Sequence, residues 1–451
     1  MQHVLDDIAK TQTVSVYGSV TAVKGLLVEC LGIERYLTVG ARCLIYPNTG
    51  GETVKSLPKP LTAEVVGFRD KTALLMPYAS LEGVGPGAKV ELIASESTVS
   101  PHESWLGRVI NPFGEAIDGG PPLMRGSVPY MLRGSPINAH ERARVHGKMN
   151  LGIKSINTFL SCCKGQRMGI FAGSGVGKSI IMSMLARNSS ADVNVIGMIG
   201  ERGREVQEFI QDDLGEEGLK RSIIVVATSD EFALMRRQAA YMTMAIAEYF
   251  RDQNKHVLCL MDSVTRFAMA QREIGLSAGE PPTSKGYTPT VFAEMPKLLE
   301  RAGPGKKGSG FITGLFTVLV EGDDTNEPVS DTVRGILDGH IILDRNIAQR
   351  GRYPAVNILR SVSRTLPDCN TEEENKLIIA ARRLMSTYED MAEMIRLGAY
   401  RKGSDAQVDK AIEIYPKIEE FLSQRKHETT TLEEGYTKLA EIMGIKLSPV
   451  A

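Results

Sequence analysis

Hydrophobic spacing changes regime twice along the chain. Between Val14 and Ile93 apolar positions alternate with small or polar ones. Val14, Val16, Val20 and Ala22 lead to a Lys24-Gly25 turn and then to Leu26–Leu31. Further runs lie at Ala63–Phe68, Thr72–Met76 and Val90–Ile93, the first two joined across Arg69-Asp70-Lys71. Short runs of period two between turn signals predict a small β-barrel ending near Ile93. From Lys148 the runs become continuously apolar: Met168–Phe171, Val193–Ile199, Ile223–Ala227, Val257–Met261, Phe311–Val320 and Ile341–Leu343, with helical patterns between them. Strands apolar on both faces predict a parallel sheet covered on both sides. After Asn370 the strands stop. Thr371-x-x-Glu374 matches a capping box, and Leu377, Leu384, Tyr388, Met391 and Ile395 continue one helical face. Ser404-x-x-Gln407 is expected to open a second helix, carrying Val408, Ala411, Ile412 and Tyr415, which Pro416 kinks or ends. Thr431-x-x-Glu434 opens a third, with Leu432, Tyr436, Leu439 and Met443.

The resulting division is a barrel with a short leading segment over residues 1–93, a nucleotide-scale α/β domain over 94–369 and a helical domain over 370–451. Val4, Leu5 and Ile8 give the leading segment one apolar helical face. The turn-rich stretch Gly107–Pro122 reads as a linker, with the single tryptophan, Trp105, packed at the junction. A chain of 451 residues is too long for one core, which agrees with several domains. Its 53 basic and 54 acidic residues nearly cancel, so no global charge draws it to nucleic acid or anionic lipid. The six cysteines show no metal-ligand spacing and are expected as reduced thiols. Asp6 and Asp7 do not suit a secretory leader, and no apolar run reaches the roughly 20 residues that span a bilayer.

The chemistry begins after Met168–Phe171. Gly173, Ser174, Gly175, Val176 and Gly177 form a turn between a strand and a helix that starts with Lys178, Ser179 and Ile180. Glycines let backbone N–H groups surround phosphate oxygens, and the helix N-terminus adds partial positive charge. Lys178 reaches the β- and γ-phosphates, and the Ser179 hydroxyl ligates Mg²⁺. The consensus for such a loop opens with glycine, where this chain has Ala172. Two further strands end in carboxylates. Val257–Met261 leads to Asp262, placed to hold Mg²⁺ beside Ser179. Val193–Ile199 leads to Gly200-Glu201-Arg202, and a carboxylate at that sheet edge polarises a water for attack on the γ-phosphate. The competing structural reading of Glu201 is an ion pair with Arg202 or Arg204.

This order of phosphate loop, Gly-Glu-Arg, strand-end Asp and Gly286-Tyr287-x-Pro289 resembles the catalytic subunits of rotary ATP synthases and their relatives. Gly279-Glu280-Pro281-Pro282, Gly286–Phe292 and Leu298–Gly303 resemble one branch of them, the ATPases of flagellar and type III secretion export. The resemblance spans nearly the whole chain and implies a RecA-like P-loop α/β core between an N-terminal β-barrel and a C-terminal helical domain. It departs at Ala172 and at Asn157, where that family usually has aspartate. It implies that Arg202 and Arg266 surround the catalytic glutamate and the γ-phosphate, and that Tyr353 stacks on adenine, with Tyr400 a loosely aligned second wall. It implies that Arg364 is an arginine finger that acts on the neighbouring subunit.

One chain with loop, glutamate and finger can complete a site only with a copy of itself, through a head-to-tail contact that closes into a ring, and the resemblance implies that the ring is a homo-hexamer. The expected activity is Mg²⁺-dependent ATP hydrolysis that energises export of flagellar proteins. Virulence-type injectisome export is the alternative within the branch. The partners implied are stator, regulator and central-stalk proteins, export substrates and their chaperones. Attachment to the inner-membrane export gate is then peripheral, from the cytoplasm. A nucleic-acid translocase, the reading from another class, is disfavoured by near-neutral charge and 6% aromatic residues. A non-catalytic nucleotide-binding subunit is disfavoured by Glu201.

Overall fold

The computed structural model describes residues 15–48, 59–320, 322 and 327–447. The helical face expected around Val4, Leu5 and Ile8 lies outside them, as does Val14. Six strands close the N-terminal barrel: β1 (Tyr17–Lys24), β2 (Leu27–Leu31), β3 (Arg42–Tyr46), β4 (Leu61–Arg69), β5 (Thr72–Pro77) and β6 (Lys89–Ala94), in the order β1-β2-β5-β4-β3-β6. The expected β4–β5 turn is present, with Asp70 at φ 52°, a conformation that Asp tolerates better than most residues. β3 is absent from the sequence reading. Cys43 and Ile45 are buried alternately, but Leu44 and Tyr46 on the other face are apolar too, so the alternation of burial does not show as an alternation of residue type.

The central sheet contains β7 (Val109–Ile110), β8 (Arg167–Ala172), β9 (Val193–Glu201), β10 (Ser222–Thr228), β11 (His256–Asp262), β12 (Phe311–Leu319), β13 (Gly339–Leu343) and β14 (Val362–Ser363). Their order is β14-β13-β8-β12-β11-β9-β10-β7, parallel throughout except for β14. The linker reading of 107–122 needs correction at its start. Val109 and Ile110 pair with Ile224 and Val225 as an edge strand, a two-residue run too brief to register as periodicity. Trp105 packs at the junction as expected, its indole N–H donating to the Met124 carbonyl at 2.6 Å.

Period two explains why the sheet strands are apolar throughout. On β9, Ile196 and Met198 enter one core while Val195 and Ile199 enter the other. The first core takes α1 (Lys154–Phe159) and α2 (Lys178–Asn188). The second takes α4 (Ala233–Asp252), α5 (Val264–Ala278), α6 (Pro289–Leu299) and α7 (Pro328–Ile336), while Val206 of α3 (Gly203–Glu208) enters the first.

Three helices follow: α8 (Glu372–Arg396), α9 (Ala406–Leu422) and α10 (Leu432–Met443). Both predicted capping boxes are reciprocal, at Thr371 with Glu374 and at Thr431 with Glu434. The cap of α9 is Asp405 rather than Ser404: its Oδ1 accepts from the N–H groups of Gln407 and Val408. Pro416 does not end α9, because Ile418, Phe421 and Leu422 beyond it are buried in the first core. Tyr436 and Leu439 of α10 share that core with α2. Asn157 is part of this seam. Its amide donates to Asn150 Oδ1 at 2.8 Å and to the Thr430 carbonyl at 3.1 Å, bonds that an ionised aspartate cannot donate.

Candidate functional site

The site forms where three parallel strands end. β8 runs into Gly173–Gly177 and then α2. Gly175 and Gly177 sit at φ 77° and 95°, and Gly177 is the N-cap of α2. A Cβ at Gly177 would also lie 3.4 Å from the Tyr353 ring, so the loop and the aromatic are in direct apposition. Ala172 is tolerated because it is still strand: its side chain is buried in the first core. Val176 likewise buries its side chain, leaving only its backbone to the loop, whereas Ser174, Ser179 and Ile180 face solvent.

Glu201 is aimed by a bulge. The pairing of β9 with β10 slips between Ile199 and Glu201, around Gly200 at φ 69°. Asp262 ends β11. Lys178 Nζ lies between the two carboxylates, 3.1 Å from Glu201 Oε1 and 2.6 Å from Asp262 Oδ1. The competing ion pairs of Glu201 do not form: Arg202 pairs with Glu205 at 3.0 Å and Arg204 with Glu208 at 2.7 Å. Burial pushes the Glu201 carboxyl up, the Asp262 charge adds to this, and the result is about 7. Burial alone would lower Lys178, but two carboxylates outweigh it and its ammonium is held above the ordinary lysine value.

These groups open on a cavity of about 900 Å³. Gly173, Ser174, Gly175, Gly177, Lys178, Ser179, Ile180, Glu201, Arg202 and Arg266 all line it. Arg266 comes from α5 and packs so close to Gly200 that a Cβ there would lie 2.9 Å from its own. The cavity has further walls that the sequence reading left without a role, among them Glu205, Arg272, Lys285, Tyr287 and Arg345. Tyr287 lies inside a quoted motif, so the signal was present. Arg345, which donates to the Ser174 carbonyl at 3.2 Å, lies in no motif.

Tyr353, Tyr400 and Arg364 do not line the cavity. Tyr353 is half-exposed beside Gly177, and its carbonyl accepts from Gln424 N at 2.8 Å, which ties it to the segment after α9. Tyr400 is engaged elsewhere: its hydroxyl bonds to Asp405 and Asp409 at the start of α9. Arg364 is exposed at the end of β14, its guanidinium 3.4 Å from the Arg334 carbonyl, and it does not line the cavity.

The donor set fits magnesium. Ser179 and Asp262 offer a hydroxyl and a carboxylate, both hard oxygen donors. Among the described residues no group of three His, Cys, Asp or Glu side chains gathers to form a cage.

Comparison with known proteins gives the family. Residues 152–363 match the ATP synthase alpha/beta family nucleotide-binding domain, residues 13–92 its beta-barrel domain, and residues 370–441 the T3SS EscN ATPase C-terminal domain. The chain is 56% identical over 448 residues to the flagellum-specific ATP synthase of Caulobacter vibrioides, covering 98% of this chain and 99% of the relative. It is 49% identical over 444 residues to that of Bacillus subtilis, with 98% and 99% coverage. The structure of the assembled ATPase EscN in complex with its central stalk EscO, from the enteropathogenic E. coli type III secretion system, superposes with a TM-score of 0.85. That match has 36% identity and covers 94% of this chain and 99% of the other. With three family domains in the expected order and more than half of its residues shared end to end with a relative, the chain is an ATPase and belongs to the flagellum-specific ATP synthase family.

Proposed function

We propose that the chain hydrolyses MgATP as a homo-hexameric ring and energises the export of flagellar proteins through a type III export apparatus. The observation that carries this reading is a separation. Lys178 and Glu201 line one cavity, with Lys178 also bonded to the buried Asp262 behind it, while Arg364 lies exposed after the edge strand β14 and lines no part of that cavity. A head-to-tail contact brings the Arg364 of one copy to the cavity of the next, and repetition of that contact closes a ring.

The roles follow from chemistry. The N–H groups of Gly173–Gly177 cradle the phosphates, and Tyr353 offers a flat apolar face to adenine. Lys178 exchanges its two carboxylates for phosphate oxygens, which frees Glu201 to accept a proton from the attacking water. Arg202, Arg266 and the neighbour's Arg364 stabilise the negative charge on the γ-phosphoryl group as it transfers. Ser179 and Asp262 would hold Mg²⁺, which would supply positive charge to neutralise the phosphates.

The proposed units remain 1–93, 94–369 and 370–451. The flagellar assignment is favoured over the injectisome because flagellum-specific relatives are 42–56% identical, against 36–40% for the type III secretion ATPase structures. Proposed partners are a central-stalk protein, as EscO is for EscN, together with stator and regulator proteins, export substrates and chaperones. Among the described residues no helix is long and apolar enough to cross a membrane, so the proposed place is cytoplasmic, docked at the inner-membrane export gate through partners.

The test is a mixture. Arg364→Ala and Lys178→Ala chains, each inactive alone, should regain partial hydrolysis when combined, because hybrid interfaces pair an intact loop with an intact finger. A mixture that forms rings and stays inactive refutes action in trans.

A further inference from the structure

Asp262 is held by two donors rather than one. Its Oδ1 accepts from Lys178 Nζ at 2.6 Å and from the Thr317 hydroxyl at 2.7 Å. Thr317 comes from β12, the strand between β11 and β8, and is fully buried. A hydroxyl has a single proton to give. Its other acceptor, the Met261 carbonyl, lies 3.3 Å away, so the shorter and charge-assisted bond to the carboxylate takes the proton. Among the described residues no hydrogen bond reaches Asp262 Oδ2.

The two donors respond differently to nucleotide. Lys178 has a long, flexible side chain, and the phosphates of ATP compete for its ammonium. Thr317 has no such alternative. Its β-branched side chain is stiff, and its strand is paired on both sides, to β8 and to β11. When Lys178 leaves, Thr317 is the contact that remains.

We infer that Thr317 is a positioning residue for metal-nucleotide binding: it anchors Oδ1 of Asp262, so that Oδ2 stays available to the cation after Lys178 has moved to the phosphates. This rests on the proposed reading of Asp262 as the cation-holding carboxylate.

The experiment follows binding rather than turnover. A fluorescent ATP analogue is bound to the full chain in EDTA and then at increasing Mg²⁺, for the parent, Thr317→Val, Thr317→Ser and Asp262→Asn. Valine keeps the shape and removes the hydroxyl, while serine keeps the hydroxyl. Loss of an oriented outer contact typically weakens a metal site by about 10- to 100-fold, so Thr317→Val should need about tenfold more Mg²⁺ for half-saturation. Its binding in EDTA should stay at the parent level, and Thr317→Ser should follow the parent in both conditions. If valine disturbs folding, as a thermal melt would reveal, Thr317→Ala should give the same displacement. A Thr317→Val curve that overlays the parent overturns the inference while leaving the role of Asp262 intact. A Thr317→Ser chain as impaired as Thr317→Val also overturns it, since packing and not the hydroxyl would then be responsible. If Asp262→Asn leaves the Mg²⁺ dependence unchanged, the underlying reading of Asp262 fails, and the inference falls with it.

Discussion

Lys178 and Asp262, 84 residues apart in the chain, meet at 2.6 Å behind the cavity wall, and Glu201 contacts the same ammonium at 3.1 Å. One ammonium is shared by two carboxylates in a nearly dry place, and this shortage of positive charge, together with burial, is why the Glu201 carboxyl is pushed up. The pairing also presets the exchange by which nucleotide binding rearranges the site. Lys178→Ala removes both the phosphate contact and the counter-charge. A hydrogen bond to a charged partner contributes about 1.5–3 kcal/mol, so nucleotide affinity should fall by roughly 10- to 100-fold. Equilibrium binding of the analogue in EDTA measures this directly, and an unchanged affinity would contradict the cradle geometry.

Glu201→Gln is the complementary change. Glutamine keeps the shape and leaves the Lys178–Asp262 pair in place, but it cannot accept the proton of an attacking water. ATP binding should persist while turnover falls by about 10²- to 10⁴-fold, the usual contribution of a positioned base. Normal hydrolysis by this variant would remove Glu201 from the proposed role.

The acid side of the rate profile follows from the same residue. Glu201 is active as the carboxylate, and burial beside Asp262 raises its pKa to about 7. The proton is therefore bound below that pH and lost above it. The prediction is that kcat/KM, which reports the free enzyme, rises with pH through a midpoint near 7, well above the ordinary glutamate value of about 4.3. A rate that is flat from pH 5.5 to 8.5, on the order of the interval a glutamate so shifted must titrate across, would mean that no such group limits the reaction.

How much of this was legible beforehand depended on the range of the signal. The strand ends could be read because each apolar run stops at a single carboxylate, Glu201 or Asp262, and the loop because Gly177-Lys178-Ser179 sits between strand and helix. The helix starts at Thr371 and Thr431 could be read because capping is decided within four residues. At α9 two adjacent cap-formers, Ser404 and Asp405, competed, and nothing local separates them. Thr317 carried no signal at all. A threonine inside an apolar strand reads as ordinary β-propensity, and its bond to Asp262 depends on β12 lying beside β11, an order that periodicity does not contain. The edge strand at Val109 and the barrel strand at Arg42–Tyr46 were lost for a related reason: each is recognised by what it pairs with, not by its own pattern.

Gly200 supplies the last prediction, because it couples backbone conformation to the placement of two functional side chains. It sits at φ 69°, in the left-handed region that L side chains enter at a penalty of about 1–2 kcal/mol. A Cβ there would also meet the Arg266 Cβ at 2.9 Å and its Cγ at 3.0 Å. Gly200→Ala cannot relieve one strain without worsening the other: relaxing the backbone flattens the bulge that turns Glu201 into the cavity, and keeping the bulge displaces Arg266. The variant should therefore lose about 1–3 kcal/mol of stability in denaturant unfolding and lose turnover beyond what that destabilisation explains. Nucleotide affinity in EDTA should be retained, since the loop and Lys178 are untouched. A variant that is destabilised but fully active at a temperature where it is folded would show that neither Glu201 nor Arg266 depends on the bulge for its position.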